Sequence, residues 1–451
     1  MTAVLQRQPL RVEASAARRP DLSTSHAGDK LATLAACALG FLGFMPYPAI
    51  NVGNTSAVQI GNTLTVLMLV PFVGLLRWRR PLHVFPLLVI PVAVSTLWIA
   101  ATGSSGDLSL SLKFTAAWGL ACLTVWAAQL YIPRYSIELL TGIAAAMVVH
   151  FVIGMWQFHS FQSDSFPLVE LYVNQSFLSV QENVNTIARY IKRPFGLFPE
   201  PSAMSSSLAP WVLLFSAHFL GLVHFKRKPT RRQELLFAAA ACGGLLLIIV
   251  SRSGHAAVTL AALLGLGLIW AMRIKAKPQN HLLAIAATAI VLPIVLTLAA
   301  NMIGDRLGGS SRLGNSSWED RTSSLLIGFR LLTDGGIGTA LFGVGPGHSS
   351  PALQELAGLE AVWSVLLGFV YETGLLGIFA VTWIGSTLLR TWRTARCSAA
   401  FAAITFVWLV GITLTTSYSQ LLPIWIALAW LTVWPSVCEV NESKRVDGGL
   451  Q

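Results

Sequence analysis

Long apolar runs, broken by short polar or basic connections, set the pattern of this chain. A helix needs about 20 such residues to cross roughly 30 Å of hydrocarbon. Twelve segments meet or approach that length: 31–49, 60–76, 82–101, 112–132, 137–158, 203–225, 235–250, 255–272, 281–303, 361–385, 399–417 and 420–437. The pattern predicts an all-α integral membrane protein of about 12 transmembrane helices, with residues 31–437 forming one polytopic domain. Residues 1–30 are polar and rich in Ala, Ser and Arg, with no apolar core of signal-peptide length before Leu31, so a disordered tail is expected there. Residues 438–451 read as a second short tail. No internal repeat is visible, which weakens the case for a transporter built from two related halves.

Composition agrees with the pattern. Hydrophobic residues make up 54% of the 451 and charged ones 11%, against roughly 25% charged in an average soluble domain. The net charge of +11 would suit nucleic acid, but the cations alternate between connections as the positive-inside rule requires. Those on one side are Arg7, Arg11, Arg18, Arg19 and Lys30, then RWRR (77–80), Arg134, KRKPTRR (226–232), RIKAK (273–277), RTWRTAR (390–396), Lys444 and Arg445. They account for 22 of the 31 Lys and Arg residues. This places both termini in the cytoplasm and the basic loops against anionic membrane lipids, with no role for nucleic acid. The five cysteines show no CxxC spacing and avoid the outward loops, so neither a disulfide framework nor a zinc site is expected.

Two outward connections are much longer than the rest, 159–202 and 304–360. Both carry aromatic residues and apolar runs, which reads as folded caps on the outer face. Within the second, SSLLIGFRLL (323–332) is amphipathic and too short to span, the pattern of a helix lying at the interface. The nine remaining cations are Lys113, Arg189, Lys192, Arg193, Arg252, Arg306, Arg312, Arg321 and Arg330, and all but Lys113 fall on the outward side. Outward arginines run against the topology bias and ask for another explanation. A planar, permanently charged fork of donors suits a phosphate-bearing lipid headgroup; the plainer reading pairs several of them with Asp164, Glu170, Glu182, Asp305, Glu319 or Asp320.

One segment concentrates these features. RPFGLFPEPS (193–202) holds three prolines, which bar a helix, a glycine that permits a tight turn, and the Arg193…Glu200 pair at a membrane edge. Irregular backbone at that depth is tolerated only when buried in protein or lining a cavity. Three further motifs follow in order: SRSG (251–254), DR (320–321) before LFGVGPG (341–347), and YETGLLG (371–377).

Together these four motifs, over roughly residues 135–390, resemble the bacterial O-antigen polymerase and O-antigen ligase family, the Wzy/WaaL-like polytopic membrane glycosyltransferases. The resemblance implies an enzyme of the bacterial inner membrane with two large periplasmic loops. Such an enzyme transfers saccharide from an undecaprenyl diphosphate carrier without nucleotide sugar, metal or other cofactor. Polymerases extend a lipid-linked repeat unit of O-antigen, capsule or exopolysaccharide; ligases attach the finished chain to lipid A core. Chain-length regulator and flippase proteins are the partners it implies. By motif, Arg193, Arg252 and Arg321 correspond to family arginines that hold the donor diphosphate, with Arg312 and Arg330 next in rank. The His-Asn pair that ligases carry shortly before the last motif is replaced here by Trp363 and Ser364, which favours a polymerase.

Transfer from a diphosphate needs charge neutralised on the leaving group and a base for the acceptor hydroxyl. Glu200, between two prolines where loss of water strengthens a carboxylate as a base, and His348, in GPGHSS, compete for the second role; Glu200 reads equally well as a brace for Arg193. Glu372, inside a predicted span, is a functional candidate by position, with a helix-to-helix hydrogen bond as the stronger reading. His255 is a weaker candidate, and His150 and His218 read as packing residues. Phe195, Phe198, Trp318 and Trp363 are candidates for stacking on sugar faces. A lipid-linked sugar flippase or other anion carrier is the reading from another class, disfavoured because these charges lie in loops and not at the bilayer midplane.

Overall fold

The computed structural model of the chain describes residues 26–47, 49–52, 56–59, 61, 63–65, 84–103, 105–163, 165–168, 193–273, 312–358, 362, 364–395, 398–414 and 421–439. The predicted span 281–303, most of 60–76, and the greater part of both tails lie outside these residues. The helices are α1 (His26–Leu42), α2 (Val84–Thr102), α3 (Ser105–Phe161), α4 (Pro201–Phe219), α5 (Arg231–Val250), α6 (Gly254–Arg273), α7 (Arg312–Asp334), α8 (Gly336–Phe342), α9 (Ser349–Ala357), α10 (Val365–Thr394), α11 (Ala399–Leu414), α12 (Leu422–Thr432) and α13 (Trp434–Val437). Four of them contain a stretch long and apolar enough to cross a bilayer: Asp107–Phe161 within α3, all of α5, Gly254–Met272 within α6, and all of α10. The protein is mainly helical, as the apolar runs predict. Two small antiparallel pairs depart from an all-α reading: β1 (Ala49–Val52) with β2 (Ser56–Gln59), and β3 (His224–Phe225) with β4 (Cys438–Glu439).

Boundaries move where local chemistry decides them. The first helix starts at His26, ahead of the expected tail boundary, because Asp29 in its first turn accepts hydrogen bonds from Tyr135 Oη (2.7 Å) and Arg134 Nη2 (3.1 Å). A capping box opens α5: the Thr230 hydroxyl accepts from the Gln233 amide while Gln233 Oε1 accepts from the Thr230 amide (2.9 Å). The expected span 203–225 ends as a helix at Phe219, and 420–437 divides into α12 and α13.

The runs 112–132 and 137–158 join in α3, 57 residues long and interrupted by non-helical backbone at Tyr135, two residues after Pro133. Straight, it would extend about 85 Å, nearly three times the hydrocarbon thickness. Neighbours show that it folds back. In its first half Trp118 packs on Trp425 and Gln129 Nε2 donates to Thr432 Oγ1, so it runs alongside α12 toward β4. In its second half Tyr135 meets Asp29 and His150 meets Phe44, so it runs alongside α1 away from that end.

One end of the bundle therefore gathers Asp29, Arg134, Glu138, β3 and β4. Arg227 pairs with Glu138 there at 2.6 Å, and Lys226 Nζ donates to Pro435 O at 2.8 Å. Both ends of α3 lie at the opposite end. Between the two, Trp118 packs against Phe369 and Trp425, and Trp211 packs edge-on against Phe44 and Trp430.

Candidate functional site at the end opposite the basic loops

The segment 193–202 is held from beneath by two polar side chains of α3. Gln157 Oε1 accepts from the Phe195 and Gly196 amides (3.0 and 2.9 Å), and its Nε2 donates to Gly196 O (2.9 Å). His150 Nδ1 accepts from the Leu197 amide (3.1 Å), which leaves the proton on Nε2 to donate to Phe44 O (2.6 Å). Gly196 has φ +57°, and a Cβ there would sit 2.8 Å from His150 Nδ1, so only glycine fits the turn. Proline-stiffened backbone, which cannot satisfy itself as a helix, thus gets its partners from side chains buried in a span. In sequence His150 reads as a packing residue and Gln157 is not singled out. Their spacing of seven, two turns along one helical face, was the available signal.

Pro201 at the first position of α4 stops the irregular stretch, with Glu200 extended at the N-cap. The Glu200 carboxylate accepts from Ser202 Oγ. One turn on, Ser205 Oγ lies 3.1 Å from Ser251 Oγ, which itself donates to Ile248 O at 2.7 Å. Ser205 of α4, three residues past RPFGLFPEPS, therefore meets the SRSG motif some fifty residues on in sequence. Arg252 follows at φ +48°, left-handed for a side-chain-bearing residue, and is exposed. Arg193 is half-buried at the start of the segment. Left-handed backbone at a residue that carries a side chain is strained. Arg252→Gly should relax it and raise stability by up to about 1 kcal/mol, read as a higher unfolding temperature in detergent, while removing the cation from the site.

A second cluster forms where LFGVGPG docks on YETGLLG. Helix α10 breaks at Gly374 (φ +62°), which frees carbonyls of the preceding turn. The Val344 amide donates to Tyr371 O (2.9 Å), and Gly345 N–H and Ser95 Oγ donate to Glu372 O (3.2 and 2.6 Å). The buried Glu372 carboxylate accepts from Trp118 Nε1 (3.1 Å) and from Ser349 Oγ (2.9 Å). Glu372 thus ties α2, α3, α9 and the glycine loop together. The geometry supports the hydrogen-bonding role for it. His348 follows the loop as N-cap of α9, half-buried, with Nε2 3.1 Å from Asp107 O.

The two clusters are linked. Ser364 Oγ donates to Ile412 O (3.4 Å), and a Cβ on Gly411 would touch Ser206 at 3.3 Å. The tip of α11 and the start of α10 therefore run from the arginine-bearing cluster toward Glu372 and His348. Of the remaining selected residues, Arg330 is exposed on α7, whereas the side chains of Arg312 and Arg321, though on the same helix, lie outside those described. Helix α7 includes the amphipathic stretch 323–332: Ser324, Gly328 and Leu332 are buried, Tyr371 Oη donates to Leu325 O (3.0 Å), and Leu325, Leu326 and Phe329 are exposed.

No protein-family model matches the chain, and no curated protein matches it. The site must be read from its own chemistry.

That chemistry corrects part of the stacking set. Phe195 and Phe198 are 1% and 0% exposed; Phe195 packs with Phe161 and Phe166, and Phe198 packs on His150 at 4.5 Å, so neither ring is open to a sugar. Trp318 and Trp363 fall outside the described side chains. His255 is buried beside Ser253, and His218 Nδ1 lies 3.2 Å from Val223 O.

Proposed function

We propose that the chain is a membrane glycosyltransferase that polymerises oligosaccharide repeat units carried on undecaprenyl diphosphate, for O-antigen, capsule or exopolysaccharide. In this reading the end bearing RPFGLFPEPS faces the periplasm and the basic end the cytoplasm of a bacterial inner membrane. The observation that carries it is the Ser205–Ser251 contact, which brings α4, three residues past RPFGLFPEPS, against SRSG beside the exposed, left-handed Arg252. Guanidinium groups at a membrane edge suit a lipid diphosphate, which each can grip with two parallel donors. Arg193 and Arg252 carry that role, with Arg321, Arg312 and Arg330 supplied from the second loop.

The chemistry follows from the groups available. The acceptor hydroxyl oxygen attacks the anomeric carbon of the donor sugar. The bond from that carbon to the diphosphate oxygen breaks, and undecaprenyl diphosphate leaves with the electron pair. Arginines stabilise the charge that grows on the leaving group. Glu200 and His348 are the two candidates to take the hydroxyl proton.

The glycans that accumulate in a deletion strain test the reading. Single repeat units on the carrier at the periplasmic face are expected. Full-length chains left on the carrier would indicate the ligase, and units held at the cytoplasmic face a flippase.

A further inference from the structure

The geometry points to His348, acting through Nδ1, as the base that deprotonates the acceptor hydroxyl, with Glu372 as the positioning residue that presents it; this rests on the glycosyltransferase reading above. Asp107 O is a backbone carbonyl and can only accept, so the His348 nitrogen 3.1 Å from it, Nε2, carries the proton. In the neutral ring the lone pair then sits on Nδ1. The Cδ2 edge lies against Gly345, where a Cβ would be 3.2 Å away, so Nδ1 occupies the edge turned away from the glycine loop. An acceptor that fixes the tautomer and orientation of an imidazole whose other nitrogen acts is a recurrent arrangement for general bases.

Ser349, the residue after His348, is anchored to a buried carboxylate. Ser349 Oγ donates to Glu372 (2.9 Å), which is 3% exposed, and Trp118 Nε1 supplies a second bond (3.1 Å). His348 itself is held by its amide to Gly345 O (3.1 Å) and accepts at its carbonyl from Ala352 (3.0 Å). Held by two donors in the core, the carboxylate fixes Ser349 and with it the place of the imidazole. Glu200, by contrast, accepts from Ser202 at the start of α4 and serves the loop. In the step, the hydroxyl proton passes to Nδ1 as the glycosidic bond forms, and the imidazolium gives it to water after undecaprenyl diphosphate departs.

The test uses full-length protein with ¹⁵N-labelled histidine in lipid, supplied with undecaprenyl-diphosphate-linked repeat units. His348→Gln identifies the His348 signals by their loss and should lower kcat by roughly 10²–10⁴-fold, the usual worth of a general base. In the wild type, Nδ1 should give the unprotonated signal and Nε2 the protonated one. Glu372→Gln, or Ser349→Ala should that variant fail to fold, should mix the two tautomers and lower kcat about tenfold with KM unchanged; a purely structural Glu372 would lower the folded yield and leave kcat per folded molecule as it was. Wild-type kcat in His348→Gln, or a proton on Nδ1, overturns the assignment. A wild-type protein that elongates nothing sinks the polymerase reading and the base with it, while the tautomer and its dependence on Glu372 are still read from the spectrum.

Discussion

Arg252→Ala is expected to lower glycan elongation by roughly 10²–10³-fold, the usual loss when one donor aimed at developing charge is removed, with the protein still present at wild-type level. The reason for both halves is structural. Arg252 is exposed in a turn whose shape is set by neighbours: its own amide donates to Ile249 O (3.0 Å) and Ser251 Oγ to Ile248 O (2.7 Å), and neither bond uses the guanidinium. Removing the side chain therefore takes charge from the site without opening the core. Arg193→Ala should act in the same direction, since Gln157 and His150 hold the backbone of its loop independently of it. Arg252→Lys should recover only part of the loss, because a point charge replaces a two-pronged fork. Polysaccharide length profiles from cells with matched protein levels check this; long chains persisting in both Ala variants would remove the diphosphate clamp from the account.

Gly374→Ala should have the largest effect on stability. The residue sits at φ +62° inside α10, where a side chain costs about 1–2 kcal/mol. A Cβ there would also lie 2.6 Å from Gly343 N and 2.7 Å from Ala340 O, both backbone atoms that cannot step aside. Overpacking of that kind costs roughly 1–3 kcal/mol, so the sum is about 2–5 kcal/mol, a large share of the 5–15 kcal/mol typical of a folded protein. The damage is directional, because the glycine loop would be pushed off the Tyr371 and Glu372 carbonyls that receive it. Loss of the monodisperse peak on detergent size exclusion, or a fall of several degrees in unfolding temperature, is expected. Ala at Gly119, where an added Cβ meets nothing within 4 Å, is the matched control and should be silent.

The parts of this fold legible in the sequence are those set by local composition. Apolar runs marked α2, α5, α6 and α11 to within a few residues, since a helix in hydrocarbon must satisfy its own backbone, while α10 runs nine residues past the expected end at 385. The fold-back inside α3 was legible as two runs separated by Pro133 and Arg134. What could not be read were pairings across long separations. Ser95, Trp118 and Ser349 are each unremarkable in their own segments, and only the packing of α2, α3 and α9 on α10 brings them to Glu372. The same applies to Gln157 and His150, whose polar atoms look misplaced in a span until the 195–197 backbone is laid against them. Phe195 and Phe198 failed in the opposite sense. The sequence marks the segment as stiff, but which way a stiff segment turns its rings depends on the neighbours, and here they turn into the core.

The most direct measurement is reconstitution of the purified protein in lipid vesicles with a single added substrate, the undecaprenyl-diphosphate-linked repeat unit. A ladder of products lengthening by whole repeats, with release of undecaprenyl diphosphate and loss of both in Arg252→Ala, is the predicted result. Repeat units that stay single, or that cross the bilayer without being joined, would contradict it.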